Sequence, residues 1–101
     1  MGDDAYKVKI AKDLEDLIPV YLANRKKELD ALRAALAAAD FEKLRQLGHR
    51  MRGVGNSYGF ERITSLGKEI EEGARGSDKS SLQSHIAAYG DYLSKLQIAY
   101  E

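Results

Sequence analysis

Apolar residues recur along this chain at steps of three and four. From Asp13 the run Leu14, Ile18, Tyr21, Leu22, Leu29, Leu32 and Leu36 follows a helical period. Pro19 interrupts it. Proline either kinks one long helix or starts a second one at its first turn, and the pattern leaves both open, with a short helix followed by a longer one allowed. Asp40 is a good N-cap for the next segment, whose apolar set is Phe41, Leu44, Leu47, Met51 and Val54. Gly53, Gly55 and Gly59 cluster there and predict a break between Val54 and Tyr58. A third segment carries Phe60, Ile63, Leu66, Ile70 and Ala74 and runs into Gly76, a C-terminal glycine. Ser77 or Asp78 caps the last segment, where Leu82, Ile86, Tyr89, Leu93, Leu96 and Tyr100 alternate steps of four and three.

Four amphipathic segments on short loops predict an all-α fold, an antiparallel up-and-down four-helix bundle. A tetramer-forming coiled coil competes for the last segment, but single stripes and short loops favour an intramolecular core. No segment is read as alternating with period two, so no sheet is predicted. Residues 1–12 are polar apart from Val8 and Ile10. They read as a loose or partly docked arm, or an extra helical turn, before a domain over residues 13–101.

Composition narrows the function classes. The 101 residues suit one domain. Lys+Arg and Asp+Glu are 16 each, so no overall field favours nucleic acid or an anionic membrane. Cysteine is absent, which excludes disulfides and thiolate metal sites. No apolar run approaches a membrane span and no signal peptide is read, so the expected setting is the cytoplasm. Arg25-Lys26-Lys27 is a weak nucleic-acid candidate, since Glu28, Asp30 and Asp16 stand close by; a solvated helix face is the expectation. His85 lies just off the last stripe, with no partner at metal-ligand spacing. Tyr89, Tyr92 and Tyr100 read as core and rim aromatics. No metal site is expected.

The informative stretch is His49-Arg50-Met51-Arg52-Gly53-Val54-Gly55-Asn56-Ser57-Tyr58-Gly59-Phe60. At about 100° per residue, His49 falls opposite the Leu44, Leu47, Met51 and Val54 cluster. Gln46 and Gly53 share its outer side; Arg45, Arg52 and Asn56 flank it; Gly48 and Gly55 point inward. Residues 41–54 hold Lys43, Arg45, Arg50 and Arg52 against Glu42 alone, which makes this face locally positive. A histidine on such a face is ordinarily a solvated surface residue. Gly53 argues otherwise: a glycine inside a helix costs about 1 kcal/mol relative to alanine, and on the outer face packing does not explain it. It leaves a clear approach to the imidazole.

These residues resemble the signature of histidine-containing phosphotransfer (HPt) domains: histidine, any residue, an aliphatic residue, lysine or arginine, then glycine, with a hydrophobic residue and a glycine at Tyr58 and Gly59. The resemblance spans residues 13–100. It implies that His49 is phosphorylated, that Arg52 assists electrostatically, that Gly53 gives access and that Gly59 shapes the start of the next helix. Family members also carry a glutamine or glutamate 22 residues after the histidine, holding the imidazole; here it is Glu71, with a basic residue four further on, Arg75. Val54 stands where many members have a small or hydroxylated residue, and Gly55 and Asn56 loosen the helix end.

The function so implied is a phosphoryl carrier exchanging with aspartates of response-regulator receiver domains, with a hybrid histidine kinase as a further candidate partner. Arg45, Gln46, Gly53, Asn56 and Arg75 would form the docking face. No glycine loop precedes a lysine to cradle nucleotide phosphates, so no kinase activity and no cofactor is expected; Mg²⁺ would sit on the receiver. The expected state is a monomer. One alternative is a module of the same fold that binds a receiver or kinase without transfer. Another is the dimerisation helix of a sensor kinase, but that helix has an acidic residue after the histidine and a nearby proline, whereas Arg50 follows here.

Overall fold

The computed structural model describes residues 6–101; part of the predicted arm, residues 1–5, lies outside them. Strand β1 (Tyr6–Ile10) leads through a 3-10 turn (Lys12–Leu14) to α1 (Ile18–Ala37). Then come α2 (Phe41–Gly55), a second 3-10 turn (Asn56–Tyr58), α3 (Glu61–Arg75), α4 (Lys79–Ser94) and strand β2 (Leu96–Tyr100). The four helices enclose one core, with α2 on α3, α3 on α4, and α1 against both α2 and α4.

Local chemistry explains the helix ends. Pro19 sits in the first turn of α1, where its missing N–H costs nothing, so it starts the long helix and kinks none. The Asp40 carboxylate accepts the Lys43 N–H and caps α2; the Asp78 carboxylate does the same for α4 with Ser81. Gly76 is not left-handed; Ser77 takes that conformation instead, at φ 51°. Gly59 has φ 88° and turns the chain from α2 into α3. Gly59→Ala should lower stability by about 1–2 kcal/mol for the left-handed backbone alone. Urea unfolding checks it, and crowding of Ile10, whose Cδ1 lies 3.2 Å from a built Cβ, adds to the cost.

Two expectations are corrected. The chain contains a sheet, because β1 and β2 pair in parallel from Tyr6↔Leu96 to Ile10↔Tyr100. Accordingly α4 ends at Ser94, and the stripe through Leu96 and Tyr100 belongs to a strand. Two short strands are marginal alone; these are held by the helices. Ile10 is buried, the Tyr6 ring packs on Tyr92 at 5.1 Å between centroids, and the Tyr6 hydroxyl donates to Asp91 at 3.2 Å.

The expected solvated face on α1 forms at Lys26, Lys27 and Asp30, which are exposed, but not at Arg25 and Glu28. Arg25 and Glu28 turn inward, with side chains only 12% and 9% exposed. Buried Tyr89 of α4 donates its hydroxyl to Glu28 at 2.9 Å, and the Arg25 guanidinium lies over the Tyr21 ring. Burial raises the Glu28 carboxyl above its ordinary value, against the opposing pull of Arg25 and the Tyr89 hydrogen bond.

Candidate functional site

The site begins with how closely α2 and α3 approach. Gly48 and Gly67 face each other across the contact. A Cβ on Gly48 would stand 2.7 Å from the Glu71 backbone nitrogen and 2.8 Å from the Gly67 carbonyl oxygen. A Cβ on Gly67 would stand 2.6 Å from the Met51 Cβ. Only paired glycines allow this spacing. Further along, the Thr64 hydroxyl donates to the Arg52 carbonyl at 3.2 Å and accepts the Asn56 N–H at 2.9 Å, tying the end of α2 to α3.

This approach places Glu71, on α3, directly beside His49 on α2. The Glu71 side chain is 1% exposed and that of His49 is 67% exposed. Glu71 Oε2 lies 3.1 Å from His49 Nδ1, so a proton on Nδ1 donates to it. Arg52 Nη1 donates to Glu71 Oε1 at 2.6 Å, and Arg75 Nη2 donates to Oε2 at 3.1 Å. A buried carboxylate is costly unless paired and hydrogen-bonded; Glu71 has two cations and the imidazole. The Arg52 hydrogen bond leads in holding its carboxyl below the ordinary range, opposed by burial and helped by His49 and the Arg75 charge.

The sign of the pH dependence follows. A lowered carboxyl pKa contributes stability that is complete above the unfolded value and lost as pH falls through the folded one. Glu71→Gln cannot ionise, so its stability deficit relative to the parent should shrink steadily as pH is lowered through the carboxylate range. Urea midpoints measured across acidic pH check this; a deficit that stays constant would show that the ion pairs add nothing.

The other predicted residues are placed as follows. Gln46, Gly53 and Asn56 are exposed around His49, and a Cβ on Gly53 would meet nothing within 4 Å. Gly48 and Gly55 are buried. Arg45 turns back to Glu42 on its own helix, at 2.6 Å. The face is therefore less positive than α2 alone suggests, because α3 brings Glu71 into it and both Arg52 and Arg75 are engaged there. Arg75, expected to reach outward, is bound to the same carboxylate oxygen as His49. His85, distant in sequence from any ligand partner, meets Glu69 of α3 at 3.6 Å.

A family model described as Hpt domain matches residues 10–99. The chain belongs to the Hpt domain family. Hpt domains serve histidine phosphotransfer in phosphorelays, where they interact with receiver domains and histidine kinases. No curated protein and no solved structure gives a significant match. Among the described residues no helix of this Hpt domain is long and apolar enough to cross a membrane.

Proposed function

We propose that this Hpt domain carries a phosphoryl group on His49, accepting it from an aspartyl phosphate of one receiver domain and passing it to the aspartate of another. The observation that carries the reading is an exposed imidazole whose Nδ1 is held by a buried carboxylate. With the proton on Nδ1, the lone pair is on Nε2, the same orienting logic by which a carboxylate sets a catalytic histidine.

Nε2 attacks phosphorus, the Nε2–P bond forms, and the bond from phosphorus to the acyl oxygen breaks. Its electron pair leaves with the receiver aspartate as carboxylate. The imidazole ring becomes positive, its Nδ1 proton still donated to Glu71, whose charge stabilises it. Onward transfer is the reverse. Gly53 leaves room for the partner, while Gln46 and Asn56 rim the approach and Arg45, paired with Glu42, stands at its edge. Receiver-bound Mg²⁺ supplies the electrostatic work on the phosphoryl group. On this reading the domain, residues 13–101, works as a monomer in the cytoplasm.

We extend the proposal to the helix directions: α1 to α4 run up and down, antiparallel. Residues 38–40 and 76–78 are the whole connections between α1 and α2 and between α3 and α4. Three residues reach roughly 10 Å, whereas a helix of 15 residues is about 22 Å long, which supports a reversal at both connections.

The test mixes the purified domain with a receiver carrying labelled aspartyl phosphate. Label should move to this domain in an acid-labile, alkali-stable form, as a phosphorus–nitrogen bond requires. A receiver that binds yet transfers nothing would favour the non-transferring module.

A further inference from the structure

Two donors share one oxygen of Glu71. His49 Nδ1 and Arg75 Nη2 both lie 3.1 Å from Oε2, while Arg52 alone occupies Oε1 at the shorter distance of 2.6 Å. Arg52 is thus the anchor of the carboxylate, and Arg75 competes with the imidazole for the remaining acceptor. Arg75 stands on α3 one turn beyond Glu71, its side chain 60% exposed, with the guanidinium turned back onto Oε2.

We propose that Arg75 is a positioning residue that moderates the hold of Glu71 on His49, and so sets how firmly the domain keeps a phosphoryl group relative to its receiver. The proposal rests on the phosphoryl-carrier reading. The ring gains positive charge when Nε2 is phosphorylated, and that charge faces Glu71. A cation sharing the same oxygen draws off part of the carboxylate's field and weakens its preference for the phosphorylated ring. The charged groups facing Glu71 are Arg45 and Arg52 from α2 and Arg75 from α3. Arg75 alone shares the oxygen that the imidazole uses.

Docking and positioning separate cleanly in one measurement. A residue that only binds the receiver speeds transfer in both directions and leaves the final split of label unchanged. A residue that tunes the ring changes the split itself. Arg75→Ala should therefore move the equilibrium toward phosphohistidine by roughly two- to fivefold, the size of a partly exposed ion pair. Arg75→Lys should return it toward the parent value. In a Glu71→Gln background, where no charge remains to moderate, Arg75→Ala should leave the split unmoved.

Nitrogen NMR of the unphosphorylated domain gives a second readout without any receiver. In Arg75→Ala the His49 Nδ1 resonance should shift in the direction of a stronger hydrogen bond to Glu71. An unchanged equilibrium with both transfer rates slowed would make Arg75 a docking residue and overturn the proposal. A shift of label toward the receiver would do the same, by showing that Arg75 merely steadies Glu71. If no receiver transfers to the parent domain, the carrier reading fails, and an unmoved Nδ1 resonance then decides against Arg75 independently.

Discussion

His49→Gln is expected to take up no label from a phosphorylated receiver, a fall of at least about a thousandfold, because the covalent acceptor itself is gone. Glutamine is close to histidine in length, but its amide nitrogen has no free lone pair to attack phosphorus. The fold should survive. His49 projects from α2 into solvent, and its side chain meets Glu71, which keeps Arg52 and Arg75. The stability cost should stay within about 1 kcal/mol. A variant with unchanged circular dichroism and melting, but without label, isolates the chemistry from the structure. Label at the parental level in His49→Gln would move the acceptor elsewhere, with half-buried His85 the first place to look.

Gly48→Val should damage the fold strongly beside the site. The first added carbon already lies 2.7 Å and 2.8 Å from backbone atoms of α3, which cannot swing aside as a side chain does. Valine adds two methyl groups beyond it. Separating two packed helices costs about 1–3 kcal/mol or more, only partly offset by the gain of up to about 1 kcal/mol from removing a helical glycine. A net loss of roughly 2 kcal/mol would lower the melting temperature by roughly 8–16 °C in a domain of this size. Transfer should fall as well, since the displaced atoms include the backbone of Glu71. Gly53→Ala is the matched control on the same helix. Its new carbon meets nothing, so it should stabilise by up to about 1 kcal/mol. Melting curves of the two variants check both signs; equal effects would mean that the α2–α3 contact is not as tight as described.

The site was legible in so far as it lies on one helix. The stripe of Leu44, Leu47 and Met51 turned His49 outward, and Gly53 stood out because nothing on that face required it. Glu71 could be named only through the family spacing. On its own helix it is one more residue beside the apolar stripe, and nothing local says that it is buried. Arg52 was read as an electrostatic aid to His49 and Arg75 as part of the docking face; that both bind Glu71 could not be seen by counting charges along α2, which omits the carboxylate that α3 inserts.

The strands show a different limit. Tyr6, Val8 and Ile10 alternate with Lys7 and Lys9, and Leu96, Ile98 and Tyr100 with Gln97 and the small Ala99. Leu96 and Tyr100, however, are four apart, a spacing that a helix and a strand satisfy equally, and they extend the stripe of Leu93. Ile98 was the residue that should have broken the tie. Arg25 and Glu28 occupy inward positions between Tyr21 and Leu32, where charge contradicts the pattern until Tyr89 arrives from α4 to satisfy Glu28.

The sequence by itself determined four helices, the capping of α2 and α4 by Asp40 and Asp78, and the outward face of His49. Each depends on residues within a few turns of one another, where periodicity and hydrogen-bond chemistry act directly. Only the tertiary structure decided that Tyr6–Ile10 and Leu96–Tyr100 pair as strands, that Arg25 and Glu28 turn inward, and that His49, Arg52 and Arg75 meet on a single carboxylate. The last of these depends on how close α2 and α3 come. Here the decisive distance is set at Gly48 and Gly67, by the absence of side chains.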